Sequence, residues 1–164
     1  MSNISKAFDH GKAFIGFATA GDPDLETSRR IMLEMAHGGC DLIEIGIPFS
    51  DPIAEGPVIQ EADLRALSAG ATTDKVFEMT AKLSAETDVP LVYMTYLNVL
   101  FRYGYEKFLK NAKDCGISGV IVPDLPFEEK DELQSVAEKY DIDVISLIAP
   151  TSEQRIQMIA KQAQ

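Results

Sequence analysis

Five times along the sequence a short apolar, β-capable run gives way to turn residues and then to a segment with helical spacing. The runs are residues 12–19, 42–47, 91–95, 118–122 and 143–149. The helices expected between them start from a cap at Asp24 or Thr27 and reach His37, cover 59–68, start at Thr73 or Asp74 and reach Glu86, and cover 105–114 and 128–140. A last helix is expected after a cap at Thr151. Glycines punctuate the pattern at Gly38-Gly39, Gly70 and Gly116. Alternation of this kind returns every strand to the same end of the sheet through a helix. It therefore implies a parallel sheet with its helices packed outside.

The unit also repeats in detail. Residues 39–49 and 115–127 both run from a helix stop through a short strand to a proline-rich exit carrying an acid. Such a unit suits a (β/α)8 barrel, whose complete form takes about 250 residues. The chain has 164 residues, and five units are not eight. Two architectures stay open: a five-stranded open sheet, or a partial barrel of about five parallel strands with outer helices. In the second case residues 1–164 form a single partial β/α domain whose C-terminal units are missing.

The chemistry concentrates in residues 41–57, DLIEIGIPFSDPIAEGP. Glu44 interrupts a buried run, and a charge there is costly unless it is paired or used. Side chains alternate along a strand, so Leu42, Glu44 and Gly46 share one face and the three isoleucines the other. If the isoleucines meet the helices, Glu44 points into the barrel near the strand's C-terminal end. Burial there raises a carboxyl pKa, the tuning that an acid/base group needs at neutral pH. Asp51 and Glu55 follow on a loop stiffened by Pro48, Pro52 and Pro57. Phe17 and Tyr96 lie at strand ends on the same rim, where aromatic rings can hold a flat apolar ligand or simply pack.

A net charge of −11 and a pI of about 4.5 disfavour nucleic acid and anionic membrane as partners. They leave room for a small phosphorylated substrate held by backbone amides. No glycine-rich phosphate fingerprint is present, and the lysines and arginines read as solvated helix faces. Cys40 and Cys115 are too few for a disulfide framework, and His10 and His37 stand apart, so no metal site is expected. The N-terminus has no signal-peptide core and no run is long enough to cross a membrane, which places the expected location in the cytoplasm.

Residues 14–23 (FIGFATAGDP), 42–60, 94–98 (MTYLN) and 122–126 (VPDLP) resemble the tryptophan synthase α subunit. The second of these is that family's signature, and the likeness runs in order along nearly the whole chain. The resemblance implies a (β/α)8 barrel lyase that cleaves indole-3-glycerol phosphate to indole and glyceraldehyde 3-phosphate. It implies no cofactor in this subunit and a β-subunit partner, in an α2β2 complex, that carries pyridoxal phosphate. By the same resemblance Glu44 is the acid/base that protonates indole C3, and Glu55 stands where an aspartate usually holds the indole N–H. Phe17, Tyr96, Ile121 and Leu147 take indole-lining positions, and Pro48, Asp51, Asn98 and Asp124 take positions facing the β subunit. Glutamate at 55 keeps the charge and adds a methylene, and a displacement of about 1 Å can cost about a hundredfold in rate. The family's closing loop and phosphate site lie in later barrel units, so the chain alone is expected to be inactive. The competing expectations are a partner-binding or self-associating half-barrel without catalysis, and another barrel enzyme acting on a phosphorylated small molecule.

Overall fold

The computed structural model describes residues 3–150 and 153–161. Five strands form one parallel sheet in sequence order: β1 (Ile15–Thr19), β2 (Leu42–Gly46), β3 (Leu91–Met94), β4 (Ile117–Ile121) and β5 (Asp143–Ile145). The helices are α1 (Leu25–His37), α2 (Pro57–Ser68), α3 (Thr73–Ser84), α4 (Leu97–Tyr103), α5 (Tyr105–Asp114), α6 (Asp131–Ala137) and α7 (Glu153–Ala160). This is the partial-barrel arrangement, with an outer layer of helices on one face of the sheet.

The alternation of side chains sorts the core into two clusters. Ile43, Ile45, Ile47, Tyr93 and Val120 face outward and pack with Met32 of α1, Val76 and Leu83 of α3 and Phe108 of α5. Leu42, Val92 and Ile121 face inward with Ala7, joined by Ile4, Met94 and Ile145. A short 3-10 helix, Asn3–Phe8, supplies Ile4 and Ala7 and lies across the inner face. Continuous apolar runs are what a sheet buried on both faces requires. The isoleucines of β2 therefore meet the helices, and Glu44 turns inward.

Local chemistry sets the boundaries. Asp24 caps α1, accepting from the Thr27 N–H at 2.8 Å and the Thr27 hydroxyl at 2.7 Å. Thr72 rather than Thr73 or Asp74 caps α3. The second helix starts at Pro57, two residues before the expected start, because proline suits the first helical position, where its missing N–H is not needed. The segment after β3 folds as a separate helix, α4, divided from α5 by Gly104 at φ 88°. Residues 128–140 form a helix only in part: 3-10 turns at Phe127–Glu129 and Glu138–Tyr140 flank α6. The fifth strand ends at Ile145, four residues short of the expected run. Thr151, the expected last cap, lies outside the described residues. Among the described residues no helix is long and apolar enough to cross a membrane.

Candidate active site

The inner face of the sheet and the loops at its C-terminal edge bring most of the singled-out residues to one end. Phe17 pairs with Glu44 in the β1–β2 register, and Glu44 with Val92. The Phe17 ring lies against Gly46: a Cβ there would stand 2.6 Å from the ring, so only glycine leaves the space. Glu44 is half-buried, and among the described residues no group bonds its carboxylate. Burial holds that carboxyl above its ordinary value. Leu42, Glu44, Val92, Ile121 and Ile145 line a cavity of about 290 Å³ on this face.

The loop after β2 arches over the rim. Glu55 is half-buried there, with its carboxyl raised by burial first and by the Asp124 carboxylate last, against the pull of the Ala54 and Glu55 amides. The Tyr96 hydroxyl donates to the Glu55 carboxylate and accepts from the Ala54 N–H at 2.7 Å. The Tyr96 ring is 4% exposed and packs on Phe49, with centroids 5.2 Å apart. Tyr96 thus holds the loop rather than presenting a bare ring face. Ile121 is buried in the inner cluster. Leu147 lies two residues beyond β5, is 54% exposed, and borders a second cavity of about 410 Å³ with Asp124. Glu44 and Glu55 share no hydrogen bond.

The four residues given partner-facing positions sit on neighbouring loops. Pro48 is buried at the start of the acidic loop, and Asp51 is exposed, bonded by the Ser50 hydroxyl at 2.5 Å. Asn98 is exposed on the first turn of α4. Asp124 accepts from the Leu97 N–H at 2.8 Å and so caps α4 from the loop after β4.

Sequence reasoning missed three polar residues here. Asp63 on α2 is 6% exposed; burial pushes its carboxyl up to about 6, and the Phe49 amide partly offsets that. Its buried companions Ala62 and Ala66 mark the apolar face on which it sits, and that spacing was the available signal. Gln60 of the same helix donates to the Glu55 carbonyl at 2.9 Å. Lys130 is 8% exposed with its ammonium 4.4 Å above the Phe127 ring, so it is not the solvated lysine expected of a helix face. Among the described residues no cluster of three or more His, Cys, Asp or Glu could hold a metal ion.

The family model of the tryptophan synthase alpha chain matches residues 4–164. The chain belongs to the tryptophan synthase alpha chain family. It is 51% identical to the tryptophan synthase alpha chain of Lacticaseibacillus casei over 99% of its own length and 61% of that protein's. The Alkaliphilus metalliredigens alpha chain is 50% identical, over 97% and 59% of the two chains. The chain thus spans about 60% of the length of these curated relatives. Among solved structures, the tryptophan synthase alpha chain of Legionella pneumophila superposes with a TM-score of 0.92 at 36% identity, over all of this chain and 64% of that one. A structure of the tryptophan synthase α2β2 complex of Pyrococcus furiosus matches with a TM-score of 0.87 at 35% identity, over 93% of this chain and 65% of its counterpart. The alpha-chain likeness covers the inner face and rim together, and it does not favour an unrelated barrel enzyme or a non-catalytic half-barrel.

Proposed function

We propose that this chain supplies the acid/base part of a tryptophan synthase α site, which cleaves indole-3-glycerol phosphate to indole and glyceraldehyde 3-phosphate. One observation carries the reading: Glu44, on the inner face of β2, is half-buried and unbonded, and burial raises its carboxyl in the direction that proton delivery requires. Protonation at indole C3 makes the ring an indoleninium cation, and the C–C bond to the glycerol side chain then breaks with the ring as electron sink. Glu55 is the second group: an anionic carboxylate near the ring nitrogen stabilises the developing positive charge. Phe17 and Ile121 supply apolar walls, with Leu147 and Tyr96 at the rim. Their different surroundings let two carboxyls divide the work.

In this reading the chain carries no cofactor; pyridoxal phosphate sits in a β-subunit partner that takes up the indole. Pro48, Asp51, Asn98 and Asp124 form the loop cluster facing that partner. The phosphate contacts come from barrel units beyond those described, so indole release by residues 1–164 alone is expected to be undetectable. A cytoplasmic location accords with two free, buried cysteines. The test is indole release from indole-3-glycerol phosphate, with and without a β subunit, by a chain of the relatives' length that carries this sequence. Turnover lost in Glu44→Gln with an unchanged fold supports the assignment; an active Gln variant overturns it.

A further inference from the structure

A cation buried without a partner is costly, because an ammonium that leaves water loses solvation that only an anion or strong acceptors replace. Lys130, between the 3-10 turn Phe127–Glu129 and α6, is 8% exposed. Among the described residues it forms no hydrogen bond and no ion pair. What its ammonium meets is the face of the Phe127 ring, 4.4 Å from the centroid. A ring face replaces only part of the lost solvation. Neighbouring basic residues behave differently: Arg155 is held by Glu128 at 2.6 and 2.9 Å, and Lys139 by Glu106 at 2.6 Å.

The ammonium is not sealed in. Among the described residues, the side-chain polar atoms that are both sealed and unbonded are the hydroxyls of Thr19 and Thr95. The tip of Lys130 therefore reaches open space, and the Phe127 ring beneath it lines the cavity of about 410 Å³ between the loops after β4 and β5. Ser146, just past β5, lines the same cavity with a hydroxyl that bonds nothing among the described residues. Lys130 and Ser146 also border the inner-face cavity, but there Glu44, Glu138 and Asp143 place three carboxylates against one cation. The rim cavity sets Lys130 and Arg155 against Asp124 alone, and Asp124 is engaged by the Leu97 amide. On a chain of net charge −11 this is a local reversal of sign, and it puts an incoming anion on the rim side of Lys130.

We propose that Lys130 and Ser146 form a binding subsite for a phosphate-class oxyanion. An ammonium is a point-charge donor to phosphate, and a serine hydroxyl adds a directional bond to a second oxygen. Val122, Phe127 and Leu147 wall the same space, so the anion is either free or the end group of a small apolar ligand. Both present the same oxygens to Lys130. The subsite does not depend on the roles given to Glu44 and Glu55.

Amide NMR on the 164-residue chain tests this, with inorganic phosphate titrated against chloride at matched ionic strength. The Lys130 and Ser146 amides should shift saturably with phosphate and not with chloride. Lys130→Met keeps an apolar side chain over Phe127 and removes the charge; phosphate affinity should fall at least about tenfold, the loss of one charge-assisted hydrogen bond. Lys130→Arg should keep affinity within about threefold, because the charge and its donors remain. Ser146→Ala should weaken binding by about three- to tenfold. Lys139→Met, a surface change, should leave the response as it is. Phenyl phosphate separates the two sources: tighter binding than inorganic phosphate marks the end group of an apolar ligand, and affinity no greater marks a free anion. The absence of a saturable shift up to roughly 100 mM phosphate, the same shift with chloride, or affinity of Lys130→Met within about twofold of wild type overturns the proposal. If Lys130→Met does not fold, Ser146→Ala decides, and affinity within about twofold of wild type overturns it.

Discussion

At the scale of single residues, three carboxyls are raised by burial: Glu44, Glu55 and Asp63. Each such shift makes stability depend on pH, and for Asp63 the window is defined. Its folded carboxyl titrates at about 6, against an ordinary 3.8. Between these values the folded state binds more protons than the unfolded one, so stability falls as pH rises through that window and stays lower above it. Asp63→Asn removes this loss. It should match the wild type below about pH 4 and exceed it above pH 7 by up to roughly 3 kcal/mol. Urea denaturation at the two ends of that range measures it, and equal midpoints at high pH would refute it. Glu44 was legible in the sequence because a charge stood inside a strand pattern of period two. Asp63 was not, because a helical aspartate is ordinarily solvated and only tertiary packing buries this one.

At the scale of elements, local capping and tertiary capping behave differently. Asp24 makes both of its bonds to Thr27, three residues on. Asp24→Ala should destabilise α1, read as a lower thermal midpoint. The helix α4 has no such local cap, and its first turn is closed by Asp124 from the loop after β4. That is why the sequence pattern left residues 97–103 unassigned: seven residues without a local cap do not announce a helix. Asp124→Ala should fray α4 and raise amide exchange at Leu97 while α5 keeps its protection. Gly46 is the corresponding case on a strand. Gly46→Ala drives a methyl into the Phe17 ring and should cost about 1 to 3 kcal/mol, with that ring displaced.

At the scale of the whole molecule, the sheet has two unpaired edges among the described residues, β1 and β5. Phe14 and Ile15 are exposed along the first, and Leu147 and Ile148 beyond the second. Open parallel edges with apolar side chains template pairing with further copies. Sedimentation should therefore show concentration-dependent self-association of residues 1–164, reduced by Ile15→Lys and Leu147→Lys; a strictly monomeric chain at high micromolar concentration would contradict this. The fifth strand shows how context limits pattern. Residues 143–149 read as strand throughout, yet pairing stops at Ile145, because β4 offers register partners only as far as Ile121.

The sequence by itself determined the order and number of the strands described, the parallel sheet, the inward turn of Glu44 and the family signature. Those follow from short-range rules: side-chain period, turn residues and residue identity along one stretch. Only the tertiary structure decided that Tyr96 grips the acidic loop and that Asp124 caps α4. Each of those joins residues from separate β/α units or across a loop and helix. The free energy that selects such contacts comes from water removed on packing, which no local spacing encodes.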